Sequence, residues 1–328
     1  SYVTLAEEFR AHVGDYGGFD VILATDMLHL PAFLGAVGDS RGDAAVALYM
    51  HENQMTYPLS PRDSVDEAYA MINWGSMTVA DGVYFNSQFH RHEWFKGLAA
   101  LLKRFPDYRH SSLVPAVDLK SHVLQVGVDL ARLDGAEPLE LDRPLVLWNQ
   151  RWDFDKGPEE FAQAMIDAAA THDFCIALAG EVIGEIPAFT ELQGRLADRL
   201  IHVGFAEEEL YASLQASAAV VVSTATQEFF GIAVTEAIYS GAFPLLPNDL
   251  VYPERLPAGF HDACLYERGA LADRLRWALD NLPAARAVAA ELKDEMAAFD
   301  WDIVAPQYDE TMRGLCGSLS SGETPPAD

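Results

Sequence analysis

Seven short apolar runs punctuate the chain, and between most of them lie stretches whose apolar residues recur at helical spacing. The runs are residues 20–25, 44–49, 82–85, 144–148, 174–179, 219–222 and 242–246; the clearest amphipathic stretches are 158–170, 207–216 and 231–240. Runs this short read as strands buried on both faces, and strands alternating with helices build βαβ units on parallel sheets. The expected fold class is therefore α/β with parallel sheets. Such sheets bind ligands beyond the carboxyl ends of their strands, so the residues that follow each run come first in any search for chemistry.

A chain of 328 residues, half of them apolar, is longer than one hydrophobic core comfortably serves. Two domains are expected, with the break in the polar segment 128–142 (VDLARLDGAEPLELD). We place it at 135/136, giving domains 1–135 and 136–300, a last helix 301–316 beginning at Trp301, and a disordered tail 317–328 (GSLSSGETPPAD). The first domain begins in a helix-like segment, residues 2–13, instead of a strand and Gly-rich turn. An opening strand is expected to be missing.

Charge narrows the choice of partners. The formal net charge is −28, from 50 carboxylates against 22 Lys and Arg, and the average field of such a surface repels a polyanion. Any nucleic-acid contact must come from a local basic patch. Lysine depletion also fits a high-salt cytosol, where surface charge is screened. Three unpaired cysteines, no leader and no apolar stretch near membrane-spanning length point to a reduced cytoplasm and no membrane.

Two segments carry the chemistry of the second half. After the run at 144–148 comes NQRWDFDKGPEEF, with Arg151 and Lys156 in a loop entering a helix near Pro158. Two cations beside a helix amino terminus suit an anionic group such as a diphosphate, although basic residues in such loops are often ordinary surface. Further on, TATQEFFGIAVTEAIYSG sets Glu228 and Glu236 eight residues apart. Gly231 would let backbone N–H groups approach a ligand that a Cβ would obstruct. The two carboxylates suit hydroxyls of a sugar and a ribose. The alternative is an acidic solvated face, but Ile232, Ala233, Val234, Ala237 and Ile238 leave little of that helix for water, so Glu236 needs a partner.

An R-x4-K loop followed by E-x7-E with Phe-Gly near the first Glu resembles the carboxyl-terminal domain of retaining GT-B glycosyltransferases of the glycogen-synthase-like group. The resemblance implies two Rossmann-like domains across a cleft, a nucleotide-diphosphate sugar held mainly by the second, and neither cofactor nor metal. Arg151 and Lys156 would neutralise the diphosphate. Glu228, with the backbone at Phe229, Phe230, Gly231 and Ile232, would touch donor sugar and phosphate, and Glu236 would bind ribose.

In the first half, MHENQMTYP after the run at 44–49, with TDMLHLPAF before it and FNSQFHRHEWF after, is similar to the tRNA-queuosine α-mannosyltransferase family, as is NDLVYPERLP at 248–257. That likeness runs from about residue 20 to residue 301. It implies transfer of mannose from GDP-mannose to the queuosine of a tRNA, with His51 facing the donor sugar and His29, Glu52, Asn53, Gln54, Asn86 and His90 as acceptor-side candidates. The acidic surface suits a small or lipid-linked acceptor better, and the missing strand suits a sugar-nucleotide-binding module without turnover.

Three other signals have plainer readings. Asp153-Phe-Asp155 has the form of a D-x-D metal motif but lies between Arg151 and Lys156; His90-Arg-His-Glu93 lacks the second ligand pair a zinc site requires. The latter reads as a helix start capped by Asn86 or Ser87. His29 fits a cap or a ligand-facing role. Trp74, Trp94 and Trp301 are expected in the core.

Overall fold

The computed structural model describes residues 1–53, 55, 67–182 and 184–321. The chain divides into two compact units, Ser1–Val126 with Val304–Asp328, and Gly127–Ile303.

The first unit carries a parallel sheet in the order β1-β2-β3-β4, formed by Val21–Thr25, Ala45–Met50, Gly82–Phe85 and Ser121–Val123. β2 and β3 are buried at every position, as expected for strands covered on both faces. Trp74 and Trp94 lie in this unit's core beside Leu48, Met50 and Phe85, which matches the reading of both as core residues.

The second unit carries a six-stranded parallel sheet. Its strands are β5 (Leu145–Trp148), β6 (Cys175–Ala179), β7 (Leu200–Gly204), β8 (Ala218–Val222), β9 (Phe243–Pro247) and β10 (Leu265–Tyr266), in the order β10-β9-β8-β5-β6-β7. The chain winds one way from β5 through β7, then restarts on the other side of β5 with β8. Between β5 and β8 the loops leave in opposite directions and open a crevice, which is where such sheets bind ligands.

All seven sequence-expected strands are present. β4, β7 and β10 were not expected. β4 (Ser-His-Val) and β7, whose burial alternates along its length, are edge strands without a continuous apolar run; β10 has two residues.

The break between units falls at 126/127 instead of 135/136 because the following residues are tied to the end of the second unit. Val128 bridges Asp300, the Leu130 N–H donates to Asp300 Oδ2 (3.1 Å), and the Trp301 N–H donates to the Val128 carbonyl (3.1 Å). A Cβ on Gly127 would come within 2.3 Å of the Trp301 indole, so this glycine lies flush beneath the ring. Trp301 is 42% exposed, which corrects its expected place in the core. The helix it opens, Trp301–Ser321, runs beyond residue 316, so the tail expected to start at 317 is helical through Ser321. From Val304 on this helix belongs to the first unit, where Leu315 is buried against Tyr49, Tyr84 and Leu124.

Candidate functional site

The loops after β5 and β8 join residues some 70 positions apart in sequence. The Thr226 N–H donates to the Asp155 carbonyl (2.7 Å), Thr224 Oγ1 donates to the Lys156 carbonyl (2.8 Å), and Lys156 Nζ donates to the Gln227 carbonyl (3.0 Å). Arg268 straps the second loop from behind through the carbonyls of Thr224 (3.1 Å) and Ala225 (2.6 Å). Both helices that follow start at a left-handed glycine, Gly157 (φ 63°) and Gly231 (φ 87°). A Cβ at Gly157 would lie 2.2 Å from the Thr224 carbonyl oxygen, so glycine is also what lets the loops touch. Gly231 differs: the nearest protein atom to a Cβ there is 3.7 Å away, so within the protein it is the backbone angle that requires glycine.

Lys156 sits at the centre, its side chain only 13% exposed. Its Nζ lies 3.2 Å from Asp155 Oδ2 and 3.3 Å from Glu228 Oε2. Burial opposes the lysine's charge, but the Glu228 and Asp155 carboxylates outweigh it and hold the ammonium above its ordinary pKa. The other Glu228 oxygen, Oε1, accepts the N–H groups of Phe229 (3.1 Å), Phe230 (3.3 Å) and Gly231 (3.0 Å). Three consecutive amides converging on one oxygen form an anion seat, which Glu228 fills. Arg255, within the segment 248–257, steadies that seat. Its guanidinium lies between the rings of Phe230 (3.8 Å) and Phe299 (4.3 Å), and its Nε donates to the Phe230 carbonyl (3.1 Å), on the peptide that carries the Gly231 N–H.

Glu236 is buried and does find partners. Arg132 pairs with Oε1, and the Tyr211 hydroxyl donates to Oε2 (3.0 Å). Asn149 lies within reach of Tyr211 (3.4 Å) and donates to the Ala233 carbonyl (2.6 Å), tying the loop after β5 to the helix that carries Glu236. Three of Glu236's neighbours, Arg132, Tyr211 and Asn149, border a cavity of about 500 Å³ lined also by Arg151, Gly180 and Phe205 among others. Ile232 is half exposed at the helix start. Arg132, Tyr211 and Phe205 were not anticipated. Arg132 had been assigned to a linker, and the unmet need of Glu236 for a partner was the available signal.

The D-x-D pair is engaged by its own loop. Asp153 caps the turn by accepting the Phe154 N–H (2.8 Å), and Asp155 is buried against Lys156.

A second polar cluster lies beyond β1, β2 and β3. Asp26 is buried; its Oδ1 is 3.3 Å from His51 Nδ1, and its Oδ2 accepts the Glu52 N–H (3.1 Å). Asn86 donates to the His51 carbonyl (3.1 Å) and lies 2.9 Å from His90 Nδ1. His51 remains 49% exposed, so the cluster presents one ring to solvent. Three acceptor-side expectations change here. His90 and Asn53 are fully buried and Asn86 nearly so; His90 and Asn86 brace His51, and Asn53 Oδ1 accepts the Met55 N–H (3.0 Å) in a local turn. Burial pushes the His90 imidazolium down to about 4, so the ring is neutral near pH 7. His29 caps the helix Leu30–Val37 by accepting the Ala32 N–H (3.3 Å), and Ser87 caps Gln88–Leu102. Gln54 lies outside the described residues.

The family described as "tRNA-queuosine alpha-mannosyltransferase N-terminal" matches residues 1–128, and that described as "Glycosyl transferases group 1" matches 132–294. A tRNA-queuosine alpha-mannosyltransferase from Drosophila melanogaster is 31% identical over 250 residues, covering 73% of this chain. The chain spans 66% of that relative's length. Among solved structures, sucrose-phosphate synthase from Thermosynechococcus elongatus is similar with a TM-score of 0.73 at 20% identity, over 96% of this chain and 78% of that one. Anabaena HepE in complex with UDP-glucose is similar with a TM-score of 0.68 at 17% identity, over 94% and 82%. These two likenesses identify the fold as GT-B.

Proposed function

We propose that this chain, which belongs to the tRNA-queuosine alpha-mannosyltransferase family, moves mannose from GDP-mannose to the queuosine nucleoside of a tRNA with retention at the sugar carbon. The observation that carries the chemistry is the meeting of Lys156, the 229–231 amides and Glu228 at the crevice between β5 and β8. As the bond from sugar C1 to the diphosphate breaks, C1 gains oxocarbenium character and the leaving diphosphate gains charge. Arg151 and Lys156 stabilise that charge electrostatically, while the amides, which hold Glu228 Oε1, keep that carboxylate oriented before reaction begins. The Glu228 carboxylate accepts from a donor-sugar hydroxyl, and Glu236, held by Arg132 and Tyr211, accepts from the ribose. An acceptor hydroxyl of queuosine attacks from the face the diphosphate leaves, and the departing phosphate oxygen takes its proton. His51, the exposed member of the first unit's cluster, is assigned to the donor sugar, and the half-exposed Glu52 to the acceptor.

We assign charge neutralisation to protein groups instead of a metal because both D-x-D carboxylates have structural roles in the loop. Among the described residues no helix is long and apolar enough to cross a membrane, and a cytoplasmic setting suits a tRNA substrate.

The net charge of −28 favours a second reading, the same transfer to a small or lipid-linked acceptor. The test is incubation with GDP-mannose and queuosine-containing tRNA, followed by nucleoside mass spectrometry. Hexose on queuosine, absent with queuosine-free tRNA, is expected. Sugar-nucleotide binding without that product would move the acceptor elsewhere.

A further inference from the structure

Residues 88–113 invert the character of the chain. They hold five of its 22 Lys and Arg but only two of its 50 carboxylates. We propose that this segment is the surface on which the tRNA docks, an inference that rests on the transferase reading above.

The cations are ordered. Lys96 and Lys103 fall seven residues apart on one face of the helix Gln88–Leu102 and its carboxyl cap, with the His92 imidazole on the same face; all three are exposed, and Lys96 also pairs with Glu93 of its own helix (2.9 Å). The helix begins at Ser87, beside the Asn86 amide that supports His51, and its 15 residues rise about 22 Å. A basic stripe therefore leads from the His51 cluster along the unit. Phosphate contacts of this kind fix the register and orientation of a nucleic acid.

The stripe ends in a loop with a second, independent feature. Tyr108 is 85% exposed, with Arg104 before it and Arg109 and His110 after it. Its φ is 48° and that of His110 is 53°, two of the three non-glycine residues with positive φ among the described residues. Left-handed backbone at such residues costs about 1 kcal/mol or more and concentrates at functional sites. The Arg109 guanidinium fixes this shape by donating Nε to the Phe105 carbonyl (2.9 Å). Folding gains nothing from a phenol ring held in water, whereas an unpaired RNA base can stack on it, with the adjacent guanidinium groups near its phosphate. The acidic remainder of the surface then acts by repulsion, disfavouring every orientation of the polyanion except the one that meets the stripe.

The test measures binding of queuosine-containing tRNA to the full chain by fluorescence anisotropy at several salt concentrations, with GDP affinity by calorimetry as the control for folding. Because these side chains are exposed, the variants are expected to fold and bind GDP normally. Changing Lys103→Ala and Arg104→Ala together should weaken tRNA binding about tenfold and lower the salt slope by about 1 to 2. Tyr108→Ala should weaken it about tenfold, and Tyr108→Phe, which keeps the ring, should bind as the parent does. If the parent binds tRNA and these variants bind it equally well, this surface is not the docking site. If the parent binds GDP but no tRNA, the tRNA reading itself fails and the surface falls with it.

Discussion

Beyond β1, β2 and β3, a buried aspartate, an asparagine and a buried histidine hold one exposed imidazole; beyond β5 and β8, a lysine and three peptide N–H groups hold a carboxylate. Both clusters stand where parallel strands end, so the fold explains their position and not their difference. The difference lies in the residues that follow each strand. In the first cluster amides and a neutral His90 take up the hydrogen bonds, and among the described residues of that unit Asp26 alone brings a buried carboxylate. That arrangement orients His51. In the second unit Gly157 lets two backbones touch, and Lys156 with Asp155 and Glu228 concentrates paired charge in a nearly dry loop. This second arrangement suits a ligand that brings its own charge.

Removing Lys156 is the sharpest way to break the contrast. Lys156→Ala takes the cation from the buried Asp155 and from Glu228 together, and breaking a buried pair this way costs about 3 kcal/mol or more of stability. Turnover of GDP-mannose should fall about a hundredfold. The two effects separate in Lys156→Ala with Asp155→Asn, which should recover most of the unfolding midpoint in denaturant and none of the turnover. Turnover near that of the parent in the double variant would mean that the lysine serves only the fold.

The first cluster should answer to pH. His90 is held at about 4 in the folded chain, against about 6.5 when unfolded. Between these values the unfolded chain binds a proton that the folded one excludes. The contribution to stability is complete above pH 6.5 and is lost as pH falls toward 4, about 3 kcal/mol in all and about 2 kcal/mol by pH 5. Denaturant midpoints at pH 7 and 5 should differ accordingly, and less in His90→Gln. An equal acid loss in that variant would assign the sensitivity to other groups.

These two experiments also mark how far sequence could be read. Glycine, proline and charge in NQRWDFDKGPEEF and TATQEFFGIAVTEAIYSG made the second cluster legible, because a left-handed helix start and a charge-bearing loop leave local signatures. The burial of Glu236 implied a partner, but nothing in the chain pointed to Arg132, 104 positions away. In the first cluster the polar stop after β2 was visible, yet His51 and His90 looked alike. Only packing of the helix against β3 separates a ring presented to solvent from one buried beside Asn86. Edge strands β4 and β7 were missed because half-exposed strands lack the continuous apolar run that betrays buried ones.

Asp26→Asn would sharpen the comparison at lower cost. Asparagine keeps one oxygen for the Glu52 N–H but replaces the carboxylate facing His51 Nδ1 with an amide of altered charge and hydrogen bonding. Turnover should drop about tenfold while the GDP-mannose KM stays within about twofold, as expected when one oriented group is loosened and the donor seat is untouched. A rise in KM with unchanged kcat would place Asp26 in donor binding instead.

The smallest effect separates two uses of glycine at the second cluster. Gly231→Ala meets no crowding, since the nearest atom to the new Cβ is 3.7 Å away, but it must hold φ near 87°. That conformational cost is about 1 kcal/mol. Gly157→Ala faces the same kind of strain at φ 63° and also drives a Cβ to 2.2 Å from the Thr224 carbonyl, which must move and carry the loop after β8 with it. Gly231→Ala should therefore lower the melting temperature by a few degrees and leave Lys156 and Glu228 in contact, with turnover within about threefold of the parent. Gly157→Ala should cost more stability and more turnover together, because it separates the loops that bring Lys156 to Glu228. Equal losses in the two variants would show that the φ angles alone matter and that the close approach of the loops does not.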